Sequence, residues 1–278
     1  MELRGEGRAK AAVSILNAMF NGYGGAAAVD LEVRVRITLN DEGHVRVFCE
    51  EDPKLALEAF KAVRGIAGRD FGAKIEIFSE VPAGVGLKTS SAVANAVILA
   101  ASRAFNLNLG IKDILRLNTA VSLKAGVSKT GALDDASASL LGGFVITNNN
   151  TREILLRGTL SEDFNVAILI KGDKVYTKDV DLSRFKRLSK EARLVLEKAL
   201  KGDIWCAMTL NGMLVSQAMG YDISPLIAAL RSGAVAVGIS GKGPAVFAVL
   251  KDSDIPVSWR KSGRVIVTRF TNRCSFDD

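Results

Sequence analysis

Histidine occurs once in this chain, at His44, and that scarcity removes whole classes of chemistry. A Ser-His-Asp hydrolase needs a catalytic histidine, and a histidine-rich zinc site needs several. His44 stands in the polar turn Asn40-Asp41-Glu42-Gly43-His44, which reads as surface. Cysteine is nearly as rare: Cys49, Cys206 and Cys274 lie far apart and form neither a metal-binding nor a redox spacing, so a reduced cytoplasmic protein is expected. Three Tyr and two Trp supply few stacking platforms for single-stranded nucleic acid. No apolar run reaches the length of a membrane span, and the N-terminus carries no apolar signal core.

What is present is a large apolar fraction. Hydrophobic residues make up 48% and charged residues 24% of 278, enough for a substantial core in one large domain or two moderate ones. The net charge of +7 suits phosphorylated or carboxylate ligands. Lys and Arg are scattered rather than gathered in a basic block, so ordinary solvated charge accounts for most of that balance.

The stretch 80–101 organises the rest. A strand-like run, Ala73 to Phe78, leads into the glycine loop Pro82-Ala83-Gly84-Val85-Gly86-Leu87-Lys88-Thr89, then Ser90-Ser91-Ala92 and a long apolar helix. Glycines let backbone N–H groups approach an anion without obstruction, Thr89 or Ser90 is placed to cap the helix, and the helix N-terminus favours negative charge. The register is not that of the common phosphate loop, because Lys88-Thr89 follows Leu87 rather than Gly, and the third small residue of a dinucleotide fingerprint is absent. The competing reading is a plain glycine turn entering a buried helix.

Along the chain, residues 1–30 are rich in Gly and Ala and read as a tightly packed entry segment around the apolar stretch Ala11 to Phe20. Leu31 to Thr38 alternates as a half-exposed strand, and Val45 to Cys49 is expected to pair with it as a hairpin across the Asn-Asp-Glu-Gly turn. Pro53 to Ala67 has helical spacing, with Leu55, Ala59, Ala62, Val63 and Ile66 on one face. Asp113 is placed to cap a further helix with apolar Ile114, Leu117, Val121 and Leu123, ended by Gly126. An apolar run closes with Gly142-Gly143 and a strand from Phe144 to Thr147, and Asn148-Asn149-Asn150 is a polar break marking a domain boundary, giving domains 1–152 and 153–278. Beyond it come strand Asn165 to Ile170, a basic, Asp-bearing segment to Arg187, and helices over Lys190 to Lys201, Ile204 to Met219 and Pro225 to Ser232. Strands Ala234 to Ser240, Ala245 to Leu250 and Arg264 to Phe270 complete it. Segregated helices with hairpins argue α+β rather than a doubly wound sheet.

Two further stretches carry chemistry. Asp134-Asp135 beside Gly131 is a poor choice for a core and a good one for a metal site or a base. Gly238-Ile239-Ser240-Gly241-Lys242-Gly243-Pro244 reads as a strand, a loop and the next strand, with Lys242 available to anions.

The run Pro-x-Gly-x-Gly-Leu-Lys-Thr-Ser-Ser-Ala, 82–92, resembles the phosphate loop of the GHMP small-molecule kinases, which include galactose, homoserine and mevalonate kinases. Two residues rather than one separate Leu87 from Ser90-Ser91, a form similar to the archaeal shikimate kinase branch. Thr130-Gly131-Ala132-Leu133-Asp134 resembles the family's Gly-x-x-Asp segment, and 238–244 its third motif. Gly7-Arg8-Ala9 resembles the first motif, although Lys10, Ala11 and Ala12 stand where Pro-Gly is usual.

The resemblance implies two α+β domains, the first ribosomal-protein-like and the second ferredoxin-like, with nucleotide and substrate in their cleft. It implies ATP and Mg²⁺ as cofactors, phosphate contacts from residues 82–92 with Gly241 and Gly243, and metal ligands among Ser90, Ser91 and Asp135. Either Asp134 or Asp135 is the base, with Asp134 taking that role by resemblance. Lys10, Lys88 and Lys242 are the candidates for substrate anions. The implied partner is shikimate, phosphorylated on its 3-hydroxyl, with no nucleic acid and no membrane; the oligomeric state is left open. Homoserine or mevalonate phosphorylation, a non-catalytic sensor on the same fold, and a basic RNA-binding module are the rivals. Intact Ser90, Ser91, Asp134 and Asp135 argue against a sensor, and sparse aromatics against RNA.

Overall fold

The computed structural model describes residues 3–172, 175, 180–251 and 254–276. Part of the expected basic segment running to Arg187 lies outside them.

The first sheet is built on one long strand. β2 (Tyr23–Asn40) pairs along its length with β1 (Arg4–Leu16) in antiparallel register. Its other edge is shared: the first half pairs with β5 (Phe144–Asn148) and the second half with β4 (Gly72–Ser79). β3 (Val45–Phe48) lies outside β4, and β6 (Glu153–Gly158) outside β5. Helices α1 (Lys54–Ala67), α2 (Thr89–Ala104), α3 (Ile111–Ala125) and α4 (Leu133–Leu141) pack with this sheet, and a core runs from Val33, Val35 and Ile37 to Phe60, Val97 and Ile114.

Residues 4–30 are not an entry segment but β1, a turn and the start of β2. Their glycines and alanines mask the strand because the strand presses flush on α2. A Cβ on Gly5 would collide with the Ala100 carbonyl oxygen, and one on Gly7 with that of Ala96. The β-branched residues that usually mark a strand have no room there. Nor do Val45 to Phe48 form a hairpin with β2. β3 runs parallel to β4, which lies between the two, and α1 supplies the crossover that a parallel pair requires. Asp113 is the third residue of α3 rather than its cap; its carboxylate accepts the Gly110 N–H at 3.3 Å. Ile66 and Leu123 are exposed rather than turned inward with their apolar neighbours.

The second sheet, in the order β10-β7-β9-β8, consists of β7 (Asn165–Ile170), β8 (Ala236–Ile239), β9 (Val246–Leu250) and β10 (Arg264–Arg269), all antiparallel. Helices α5 (Leu182–Lys186), α6 (Ser189–Leu200), α7 (Ile204–Met219) and α8 (Ser224–Arg231) separate β7 from β8, and α9 (Val257–Ser262) separates β9 from β10. That is the βαββαβ, ferredoxin-like plan that the resemblance implies. The short α5 and α9 carry too little apolar periodicity to be read from sequence. A shared core of Val13, Ile15, Ala27, Ile146, Ile168, Met208 and Phe247 joins β1, β2 and β5 to the second sheet and α7.

Candidate active site

The glycine loop is anchored by its carbonyls. Gly84 accepts from the Val175 N–H at 3.0 Å, Val85 from Ala245 N–H at 3.0 Å, Gly86 from the Ser240 hydroxyl at 2.8 Å and Leu87 from Ala12 N–H at 3.2 Å. Residues 82–88 are thus held against β1 and the loop 241–244 of the second half. That loop is itself fixed: Gly241 N–H donates to Ser14 Oγ at 2.8 Å, Asn17 Nδ2 to the Gly241 carbonyl at 2.8 Å, and the Tyr221 hydroxyl to the Lys242 carbonyl at 2.7 Å. Gly86 must be glycine twice over. Its φ is 95°, and a Cβ would strike the Ser240 carbonyl oxygen. Gly86→Ala is expected to cost about 1–3 kcal/mol of strain. That loss should appear as a lower melting temperature.

Neither Thr89 nor Ser90 caps α2. The cap position is Lys88, left-handed at φ 62°, while Thr89 is the first helical residue and its hydroxyl reaches back to the Pro82 carbonyl at 3.4 Å. Ser90 is exposed at the start of the helix and Ser91 is buried. α4 is entered in the same way, through Ala132 at φ 50°. Left-handed non-glycine residues are uncommon, and two of them here aim two helix N-termini into one region.

Between those helix starts lies a charge cluster. Lys88 Nζ sits 2.7 Å from Asp135 Oδ1, an ion pair without hydrogen-bond alignment, and both side chains are largely removed from solvent. Burial opposes the Lys88 ammonium, but the charges of Asp135 and Asp134 outweigh it and hold its pKa above that of an ordinary lysine. Asp134 is 3% exposed, and its pKa is pushed up to about 7 by burial first and by the charge of Asp135 second. Lys88 and a hydrogen bond from Asn149 Nδ2 to Asp134 Oδ1, at 2.9 Å, pull the other way. Gly24 of β2 lies against the same carboxylate, where a Cβ would collide with it.

Buried amides brace this cluster from behind. Asn118 Nδ2 donates to the Ser91 carbonyl at 2.9 Å and to Asn95 Oδ1 at 2.7 Å, and Asn95 Nδ2 donates to the Ala136 carbonyl at 2.9 Å. The first turn of α2 is thereby tied to α3 and to the turn of α4 that carries the aspartates. Sequence reading missed Asn95, Asn118, Asn149, Gly24 and Ser14, because a lone Asn or Gly in an apolar run has no local signature. Lys10, a candidate for a substrate anion, lies away from the aspartate cluster in its own network of ion pairs. The Lys10 ammonium is 2.9 Å from Asp30 and 3.3 Å from Glu32, in a groove also lined by Glu6, Arg8, Arg103 and Arg273.

The family model described as GHMP kinases N terminal domain matches residues 54–143, which span the glycine loop and the aspartate pair. Among solved structures, the mevalonate kinase of Methanococcus jannaschii superposes with a TM-score of 0.75 at 18% identity, covering 98% of this chain and 99% of that one. The fold is that of a GHMP kinase. Shikimate kinase of Pyrococcus abyssi is 38% identical over 273 residues, covering 96% of this chain and 99% of the relative. Shikimate kinase of Methanothrix thermoacetophila is likewise 38% identical, over 98% of this chain and 95% of its own length. The chain belongs to the archaeal shikimate kinase family of GHMP kinases, and a kinase family implies ATP as the phosphoryl donor.

Proposed function

We propose that this protein transfers the γ-phosphoryl group of ATP to the 3-hydroxyl of shikimate, giving shikimate 3-phosphate and ADP, with Asp134 as the base. The observation that carries the reading is the buried Lys88–Asp135–Asp134 cluster between the N-termini of α2 and α4. The near-full-length similarity to shikimate kinases supports the choice of substrate.

Phosphoryl transfer needs positioned phosphates, balanced charge and an oriented hydroxyl. N–H groups of the loop 82–88 and of the first turn of α2 would bind the β- and γ-phosphates, with Gly241 and Gly243 closing the site from the second half. Asp135 pairs one oxygen, Oδ1, with Lys88 and keeps the other for the metal, and Asp134 is assigned to accept the proton of the acceptor hydroxyl. A carboxyl with a pKa of about 7 suits that task near neutral pH. Lys88 offsets the negative charge that gathers there, and Lys242 adds positive charge from the facing loop.

Mg²⁺ fits the donor set. Among the described residues, no three His, Cys, Asp or Glu side chains cluster into a metal cage. Mg²⁺ on nucleotide phosphates requires only one or two protein oxygens, and Asp135 with a Ser90 or Ser91 hydroxyl provides them. When bound, the ion would neutralise phosphate charge. Losing its serine ligand should lower kcat/KM for MgATP by about 10–100-fold, in line with about 1.5–3 kcal/mol for a contact to a charged group. Unchanged kinetics in both Ser90→Ala and Ser91→Ala would remove the serines from the metal's shell.

We divide the chain after β6 rather than at 152, since that strand pairs with β5 and completes the first sheet, and place the protein in the cytoplasm. The test of the function is ADP release from MgATP with shikimate, homoserine and mevalonate offered in parallel. Release with shikimate alone is expected. Release with another acceptor would keep the chemistry and change the substrate.

A further inference from the structure

Asn149 stands in a run of three asparagines that reads as a polar break between domains, yet it is buried. Thr147, in β5, and Asn149, the turn residue just beyond its end, are both buried, while Asn148 between them is half-buried. Thr147 is fully buried, and its hydroxyl donates to Asn149 Oδ1 at 2.8 Å. That bond orients the amide. With its oxygen committed to Thr147, the nitrogen must face the other way, and there it meets Asp134 Oδ1 at 2.9 Å and Thr130 Oγ1 at 3.4 Å. The Asn149 backbone is pinned as well, its N–H donating to the Gly22 carbonyl at 2.9 Å.

We propose that Thr147 and Asn149 are positioning residues for the catalytic step, a relay of oriented hydrogen bonds that fixes the Asp134 carboxylate against Gly24. The inference rests on Asp134 being the base. Asn149 acts through Asp134, and Thr147 acts through Asn149. A buried carboxylate with no such donor would be free to rotate away from the acceptor hydroxyl, and a displacement of about 1 Å can cost about 100-fold in rate.

The test is steady-state kinetics on Asn149→Ala, Thr147→Val, Thr147→Ser and the Asn149→Ala/Thr147→Val pair, with Asp134→Asn in the same assay and the acceptor that the wild-type enzyme phosphorylates. Asn149→Ala should lower kcat about 10–100-fold while both KM values stay within about twofold. Thr147→Val, which keeps the shape and loses the hydroxyl, should lower kcat several-fold, and Thr147→Ser should restore it. The double variant should be no slower than Asn149→Ala alone, because the two residues act in series. Wild-type kcat in Asn149→Ala, equal losses in Thr147→Val and Thr147→Ser, or additive losses in the pair would each overturn the relay. Full activity in Asp134→Asn would instead overturn the base on which it acts. An inactive Asp134→Asn beside an unaffected Asn149→Ala would remove the relay alone.

Discussion

Asp134→Asn is expected to lower kcat by about 10²–10⁴-fold, the usual contribution of a general base, while leaving ATP affinity nearly intact. The substitution keeps the size of the side chain and its acceptor oxygen for Asn149, so the loss is one of proton acceptance rather than packing. In the wild-type enzyme, activity should fall as pH drops through about 7, where Asp134 takes up its proton. Stability should move the other way. A carboxyl whose pKa is raised by folding holds its proton in the native state after the unfolded chain has lost it, so this group's ionisation destabilises the fold as pH rises from about 4 to about 7. Asp134→Asn should therefore melt above the wild type at pH 8, and the gap should close toward pH 5. A variant that is inactive and no more stable at pH 8 would mean that burial does not strain this carboxylate.

The second large effect is expected at Lys88. Lys88→Met removes the only cation found paired with the aspartates among the described residues and leaves two carboxylates facing each other in a buried site. Breaking a buried ion pair from one side costs about 3–5 kcal/mol, because the remaining charge is uncompensated. Part of that cost can be relieved by protonating an aspartate. The variant should therefore lose most of its turnover and melt at a lower temperature at pH 8, with the deficit shrinking at lower pH. What activity remains should have its acidic limb displaced upward in pH, since Lys88 normally holds the Asp134 pKa down. Wild-type stability at pH 8 would mean that Lys88 does not offset the charge of the buried aspartates.

Features whose cause is local were legible in advance. β7, from Asn165 to Ile170, and α7, from Ile204 to Met219, are self-contained apolar segments ended by polar or glycine residues, and their limits match the structure. The glycine loop and the aspartate pair were legible because so few residue types can approach a phosphate or carry a proton. β1 was not, because its glycines and alanines answer to α2, some ninety residues away in sequence. The place of β3 was not, because pairing across the turn and pairing through a crossover use the same strand pattern.

The sequence by itself determined an α+β chain with a glycine-rich anion loop and a neighbouring acidic pair, since those depend on residue type and short spacing, and its resemblance to the GHMP family implied a kinase. Only the tertiary structure supplied physical grounds for proposing Asp134 rather than Asp135 as the base. That choice depends on Lys88 reaching Asp135 rather than Asp134, on the absence of a side chain at Gly24, and on Asn149 turning inward from the end of a strand. Each is a contact between segments distant along the chain, and burial, which raises the Asp134 pKa, exists only once those segments have packed.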